Sequence, residues 1–132
     1  MSGTRMSRRE LLALALASGI PLVGAAEETG HAGRTGRRVV LENDAIRVLE
    51  FVSVPPSGVC GSGRHWHAAH LTVFLTSGRV QVTRPDGTGT RFAREAGDVI
   101  WVAAGEHEVE NAGDSELRIL NVEVKSKDWR PS

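Results

Sequence analysis

The stretch Gly63-Arg64-His65-Trp66-His67-Ala68-Ala69-His70 sets three of the chain's five histidines within six positions. Imidazole is the side chain that most readily ligates first-row divalent metals, so this density raises a question of coordination. On an extended strand, side chains at i and i+2 share a face with Cβ atoms roughly 6.5–7 Å apart. From there two rings can lean toward one ion about 2.0–2.1 Å from each nitrogen. His65 and His67 meet this condition if the segment is extended, and Trp66 then faces away. On a helix the two rings would diverge. A His-x-His pair alone is weak evidence, since buried imidazoles also satisfy themselves with backbone hydrogen bonds.

Other arrangements that carry chemistry are missing. There is no Ser/His/Asp set in recognisable order, no phosphate-cradling glycine loop and no zinc-finger spacing. Glu106, Glu108 and Glu110 alternate with His107, Val109 and Asn111. If His107 points inward, the three glutamates therefore form a solvated outer edge, while Asn111 shares the histidine's face to orient a ligand or cap a turn. His31 lies in a Gly/Ala/Thr/Arg stretch and reads as solvated. The single cysteine, Cys60, permits no internal disulfide and either pairs with another chain or, the favoured reading, sits as a free thiol. Sixteen basic residues balance sixteen acidic ones, which gives no support for a nucleic-acid groove or an anionic-membrane anchor.

The elements that must position these residues begin after an N-terminal stretch of different character. Arg5, Arg8 and Arg9 precede an apolar run from Leu11 to Val23, followed by small residues at Gly24, Ala25 and Ala26. That is the layout of an export signal. The run is interrupted by Gly19 and Pro21 and is shorter than the roughly 20 residues a spanning helix needs, so no stable membrane span is expected after cleavage. Ser7-Arg8-Arg9-Glu10-Leu11-Leu12 is similar to a twin-arginine motif, implying a periplasmic or otherwise extracytoplasmic location. Cleavage after Ala26 removes three arginines and one glutamate, leaving 13 basic and 15 acidic residues, net −2. The expected organisation is a signal over 1–26, a flexible leader over 27–37, a β-domain over 38–127 and a tail over 128–132.

Within that domain, eight β-rich runs are separated by turn residues: 38–41, 45–54, 71–76, 79–83, 90–93, 98–102, 108–111 and 117–124. No helical periodicity lies between them, which predicts an all-β antiparallel sandwich or barrel. Val99-Ile100-Trp101-Val102 is apolar on both faces and so needs cover on both. A homodimer is expected, with Trp101 or its opposite-face neighbours Ile100 and Val102 near the contact.

The two histidine segments together resemble the cupin superfamily of small antiparallel jelly-roll barrels, over about residues 45–125. The first family motif runs glycine, five residues, His-x-His, three or four residues, glutamate, six residues, glycine. It is matched by Gly58, His65-Trp66-His67 and Gly78. The second runs glycine, five residues, proline, any residue, glycine, two residues, histidine, three residues, asparagine. It is matched by Gly97, Ala103, Gly105, His107 and Asn111. Gly58 stands one residue too far from His65, Ala103 replaces the proline, and one residue is missing between Gly105 and His107. The glutamate that usually completes the metal shell would fall at Leu71 or Thr72, and neither can serve. His-Trp-His-Ala-Ala-His is similar to a subset of small cupins in which a further histidine follows the pair. This makes His70 a fourth ligand candidate, although strand alternation places it opposite His65 and His67 unless a bulge intervenes.

The resemblance implies a divalent metal ion held by His65, His67 and His107. Iron, nickel, zinc and copper suit imidazole, and manganese is less favoured without the carboxylate. Three neutral ligands leave the ion its full charge, which favours a small anionic ligand. Folding before export would let the cell choose the ion. Two function classes follow. One is a metal-dependent dioxygenase or isomerase acting on a small organic acid or phenolic, with Val73, Leu75, Val99 and Trp101 lining its pocket; the other is a non-catalytic protein that binds or senses a metal or small ligand. Fold cannot choose between them.

Overall fold

The computed structural model describes residues 34–132. The proposed signal, its Arg8-Arg9 pair and His31 lie outside the described residues. The described chain is all-β, with nine strands: β1 (Gly36–Glu42), β2 (Ile46–Ser53), β3 (His65–His67), β4 (His70–Phe74), β5 (Gly78–Thr83), β6 (Gly89–Arg94), β7 (Val99–Val102), β8 (Gly105–Asn111) and β9 (Leu117–Val124). They form two antiparallel sheets, one ordered β1-β2-β9-β4-β7 and the other β3-β8-β5-β6. The eight runs expected from sequence are present, and the ninth strand is the His-x-His segment itself. Among the described residues no helix is long and apolar enough to cross a membrane.

Turn chemistry closes the hairpins. Asn43 Oδ1 accepts the backbone N–H groups of Ala45 and Ile46 at 2.8 and 2.9 Å, an Asx turn between β1 and β2. Between β5 and β6, Asp86 accepts from the Thr88 backbone at 2.9 Å, and Gly87 takes the positive φ of +84° that the reversal needs. Asn111 caps the β8–β9 turn: its Nδ2 donates to the carbonyls of Ser53 and Ser115, both at 2.9 Å, and its Oδ1 accepts from Gly113 N at 3.0 Å. Of the two roles open to this residue from sequence, the structure shows the cap.

The core fills the space between the sheets with Leu49, Phe51, Val59, Cys60, Phe74, Val80, Val109, Leu117 and Ile119. β9 shows why the pattern works, since Leu117, Ile119, Asn121 and Glu123 are all buried on one face. Glu123 is held inside by the indole N–H of Trp129 at 3.0 Å and by the Ser132 hydroxyl, which folds the C-terminal segment back onto the barrel.

One expectation fails here. Val99 and Trp101 are 55 % and 58 % exposed, and Leu75 is also exposed, so these residues do not shape the interior. Thr72, Phe74 and Ile100 line it instead. The reason is that the chain changes sheets at the joint Ala68-Ala69 between β3 and β4, and again at Ala103-Ala104 between β7 and β8. Alternation counted across such a joint has no meaning, because it holds only within one continuous strand.

Glu50 illustrates what a buried charge requires in this framework. Burial raises its pKa, but hydrogen bonds and charge from Arg38 and Arg118 (2.6 Å) outweigh that and hold the carboxyl below its ordinary 4.5. A depressed carboxylate stabilises the fold above its unfolded pKa and loses that contribution as pH falls through the folded value. Replacing Glu50 with Ala is expected to cost about 1–3 kcal/mol at pH 7, since two charge-assisted bonds to a buried acceptor disappear. Urea denaturation should show the deficit shrinking as the pH is taken below 4.5.

Candidate metal centre

β3 is only three residues long and owes its place to β8: His65 pairs with His107, Trp66 with Glu106 and His67 with Gly105. Within β3 the i, i+2 relation puts His65 and His67 on the inner face, and the antiparallel register sets His107 directly across from His65. The three rings converge. Their centroids are 4.6 Å apart for His65 and His67, 5.1 Å for His65 and His107, and 5.0 Å for His67 and His107. Trp66 faces away, its ring covered by the Arg130 guanidinium at 4.1 Å. Of the three glutamates expected on the outer edge, Glu106 and Glu110 are exposed and Glu108 is half-buried.

His70 also faces the interior. It is 2 % exposed, its ring centroid lies 5.2 Å from that of His67, and its Nδ1 meets the Ala68 carbonyl at 2.6 Å. The opposite-face expectation is thereby corrected. No bulge is needed, because His67 and His70 belong to facing sheets and both look inward.

Sequence reasoning missed the fourth member of the cluster. Cys60 is a free thiol, as expected, but it is buried with Sγ 3.2 Å from His65 Nε2 and 3.7 Å from His107 Nε2. Donor atoms of Cys60, His65, His67 and His107 all lie within 4.8 Å of one another, and His70 stands outside this group. No local pattern in the sequence marks it, because loop closure brings the thiol in. A Cβ on Gly58 would sit 1.9 Å from the Gly61 carbonyl oxygen, and one on Gly61 would press to 3.1 Å from the His65 ring. Only a tight loop brings the thiol back onto β3.

Burial governs the electrostatics. His67, 1 % exposed, is driven down to about 3 by desolvation, then by His65, His70, His107 and Arg37. His107 falls to about 4 by desolvation, then by His65 and His70. His70 is lowered by burial against the opposing pull of the Ala68 carbonyl and Glu123. Desolvation pushes the Cys60 thiol up to about 12. His67, His70 and His107 are thus neutral near pH 7, the state in which imidazole can ligate. His65 Nδ1 lies 2.8 Å from the Gly63 carbonyl. A proton on Nδ1 there leaves the Nε2 lone pair facing the cluster. Both ring nitrogens of His67 are buried without any hydrogen-bond partner.

Two hollows lie in this part of the barrel, and members of the cluster line the smaller one. A cavity of about 50 Å³ is bordered by Cys60, His70, Thr72, Phe74, His107 and Asn121 among others. A cleft of about 220 Å³ runs past Thr35, Arg37, Phe51, Gly58, Gly61 and Ser62.

Residues 50–123, more than half of the chain, match the Cupin_2 family, described as a cupin domain. Among curated proteins none matches the sequence. Solved structures similar to this fold include a cupin domain from Bordetella pertussis, at 24 % identity with a TM-score of 0.63, covering 70 % of this chain and 94 % of that one. A cupin superfamily protein from Desulfitobacterium hafniense is similar at 15 % identity and a TM-score of 0.53, over 71 % of this chain and 80 % of that one. A double-stranded β-helix protein from Klebsiella pneumoniae is similar at 22 % identity and a TM-score of 0.54, over 73 % and 80 % of the two chains. At these identities the likeness concerns the fold.

The buried imidazoles make the metal-free chain sensitive to acid. A folded-state pKa near 3 against 6.5 when unfolded means that the unfolded chain binds more protons throughout that window. Stability then rises with pH up to 6.5 and is level above it. At pH 5 the His67 contribution to this loss should be on the order of 2 kcal/mol relative to pH 7. Denaturant unfolding of the chelator-treated protein at both pH values, compared with His67→Leu, checks this; the variant should lose much of the pH dependence.

Proposed function

Since this chain belongs to the Cupin_2 family, we propose that it holds a divalent metal ion through His65, His67 and His107 and binds a small anionic ligand beside it. The observation that carries the reading is His67, an almost fully buried imidazole whose two nitrogens have no partner. Such a side chain costs on the order of 1–3 kcal/mol of desolvation unless something bonds to it. A divalent ion meets that need, with His67 and His107 already neutral and the three rings converging, so the residues present fit a metal. When bound, the ion supplies Lewis acidity or a platform for dioxygen.

The chain's own residues support the ligand class. Arg37 borders the larger cleft and acts electrostatically on His67, so a positive side chain stands near the centre. A carboxylate bound beside the ion would be drawn by both charges. The interior cavity, about 50 Å³, admits only a few atoms, so a small organic acid is favoured over a phenolic ring. Iron, nickel, zinc and copper remain the ions suited to this donor set. Oxygen uptake on presentation of small carboxylic acids separates a dioxygenase from a protein that binds and senses.

In the same reading the chain is exported through the Arg8-Arg9 segment and works as a homodimer. Leu71 pairs with Trp101 and Val73 with Val99 across the β4–β7 ladder, and the exposed Leu71, Val99 and Trp101 support a second copy there.

Elemental analysis of protein purified from its own compartment tests the metal reading. About one ion per chain is expected in the native protein, falling below a tenth of that in His65→Ala and His107→Ala. Equal content in all three would end it. Light scattering after gel filtration should give twice the chain mass, and Trp101→Lys should give the monomer.

A further inference from the structure

We infer that Cys60 is the fourth ligand of this centre, binding as a thiolate and making the donor set three nitrogens and one sulfur. The inference rests on the three-imidazole reading above and adds to it the class of ion, one with affinity for sulfur.

The geometry is that of a coordination shell. Zinc–nitrogen and zinc–sulfur bonds of about 2.05 and 2.3 Å in a tetrahedron put nitrogen and sulfur roughly 3.6 Å apart. Cys60 Sγ lies 3.2 Å from His65 Nε2 and 3.7 Å from His107 Nε2, either side of that value. His67, with both nitrogens orphaned, completes the group independently of the cysteine. A single S–H can donate to only one of the imidazoles facing it and leaves His67 unsatisfied. An ion satisfies all four at once.

The thiol is also held where the histidines are held. Val59 N donates to Val109 O at 2.8 Å, Asn111 N donates to Ser57 O at 3.0 Å, and Gly58 bridges to Glu110. The loop before Cys60 is therefore stitched to β8, the strand that carries His107 and registers His65 across from it. Donors fixed to one frame lose little freedom on closing round an ion. On coordination the sulfur–metal bond replaces the sulfur–hydrogen bond, and the proton passes to solvent. One negative charge then enters the shell, the charge that a glutamate at Leu71 or Thr72 would have brought. Sulfur in that place favours zinc, copper, cobalt and iron over manganese and magnesium.

Cobalt(II) added to the metal-free full chain is the probe. The native protein should bind about one ion and show a thiolate-to-cobalt charge-transfer band in the near ultraviolet. Cys60→Ser should still bind cobalt through its imidazoles, without the band. Its affinity should fall by more than the roughly 10- to 100-fold that loss of an outer partner costs. X-ray absorption at the cobalt edge of the native protein needs no variant, and should count one sulfur among the nearest neighbours. Binding without the band and without a sulfur neighbour would overturn the inference while leaving the three-imidazole site standing. No cobalt binding by the native chain would remove that site and this inference together.

Discussion

Several imidazoles pressed together in an apolar interior cannot all carry protons, and the rest of this structure is arranged around that constraint. Desolvation and mutual repulsion hold His67 and His107 neutral. Each is then a base with a lone pair and little water to satisfy it. The barrel tolerates the arrangement because its hydrophobic core, from Leu49 and Phe51 on β2 to Leu117 and Ile119 on β9, supplies stability elsewhere. Polar interiors of this kind are costly when half-satisfied, which is why an unpartnered His67 points to a missing bonding partner rather than to packing.

The frame that concentrates these groups is β8. It registers β3 on one edge, pairs with β5 on the other, and receives the backbone hydrogen bonds of the loop leading to Cys60. A strand of three residues has little stability of its own; β3 exists because its partner is already fixed. Side chains from residues 60, 65, 67 and 107 thus meet through one ladder and one loop, while His70 arrives from the facing sheet.

The outside of the barrel follows a separate logic. Trp129 and Ser132 bond the buried Glu123, Arg130 covers Trp66, and Lys125 lies 4.6 Å from the Trp129 ring centroid, so the C-terminal segment seals one side. The β4–β7 face is left apolar and open at Leu71, Val99 and Trp101. An enclosed polar centre and an exposed apolar face invert the usual distribution of polar and apolar groups.

Much of the fold was legible from residue order. Eight β-rich runs separated by turn residues determined an antiparallel all-β domain, and period-two alternation put His65 and His67 on one face and His107 on the face opposite its flanking glutamates, because alternation is a local property of one strand. What failed was inference across a break: the chain changes sheets at Ala68-Ala69 and again at Ala103-Ala104, so Leu75, Val99 and Trp101 turned outward, Thr72 and Ile100 inward, and His70 joined the interior. Cys60 was beyond reach for a related reason. Its distance to His107, 47 residues away, depends on how the Gly58–Gly61 loop packs against β8. The sequence determined which side chains could ligate and which strands would carry them; only the tertiary structure decided which four meet, since convergence is set by register and loop closure between segments that share no local period.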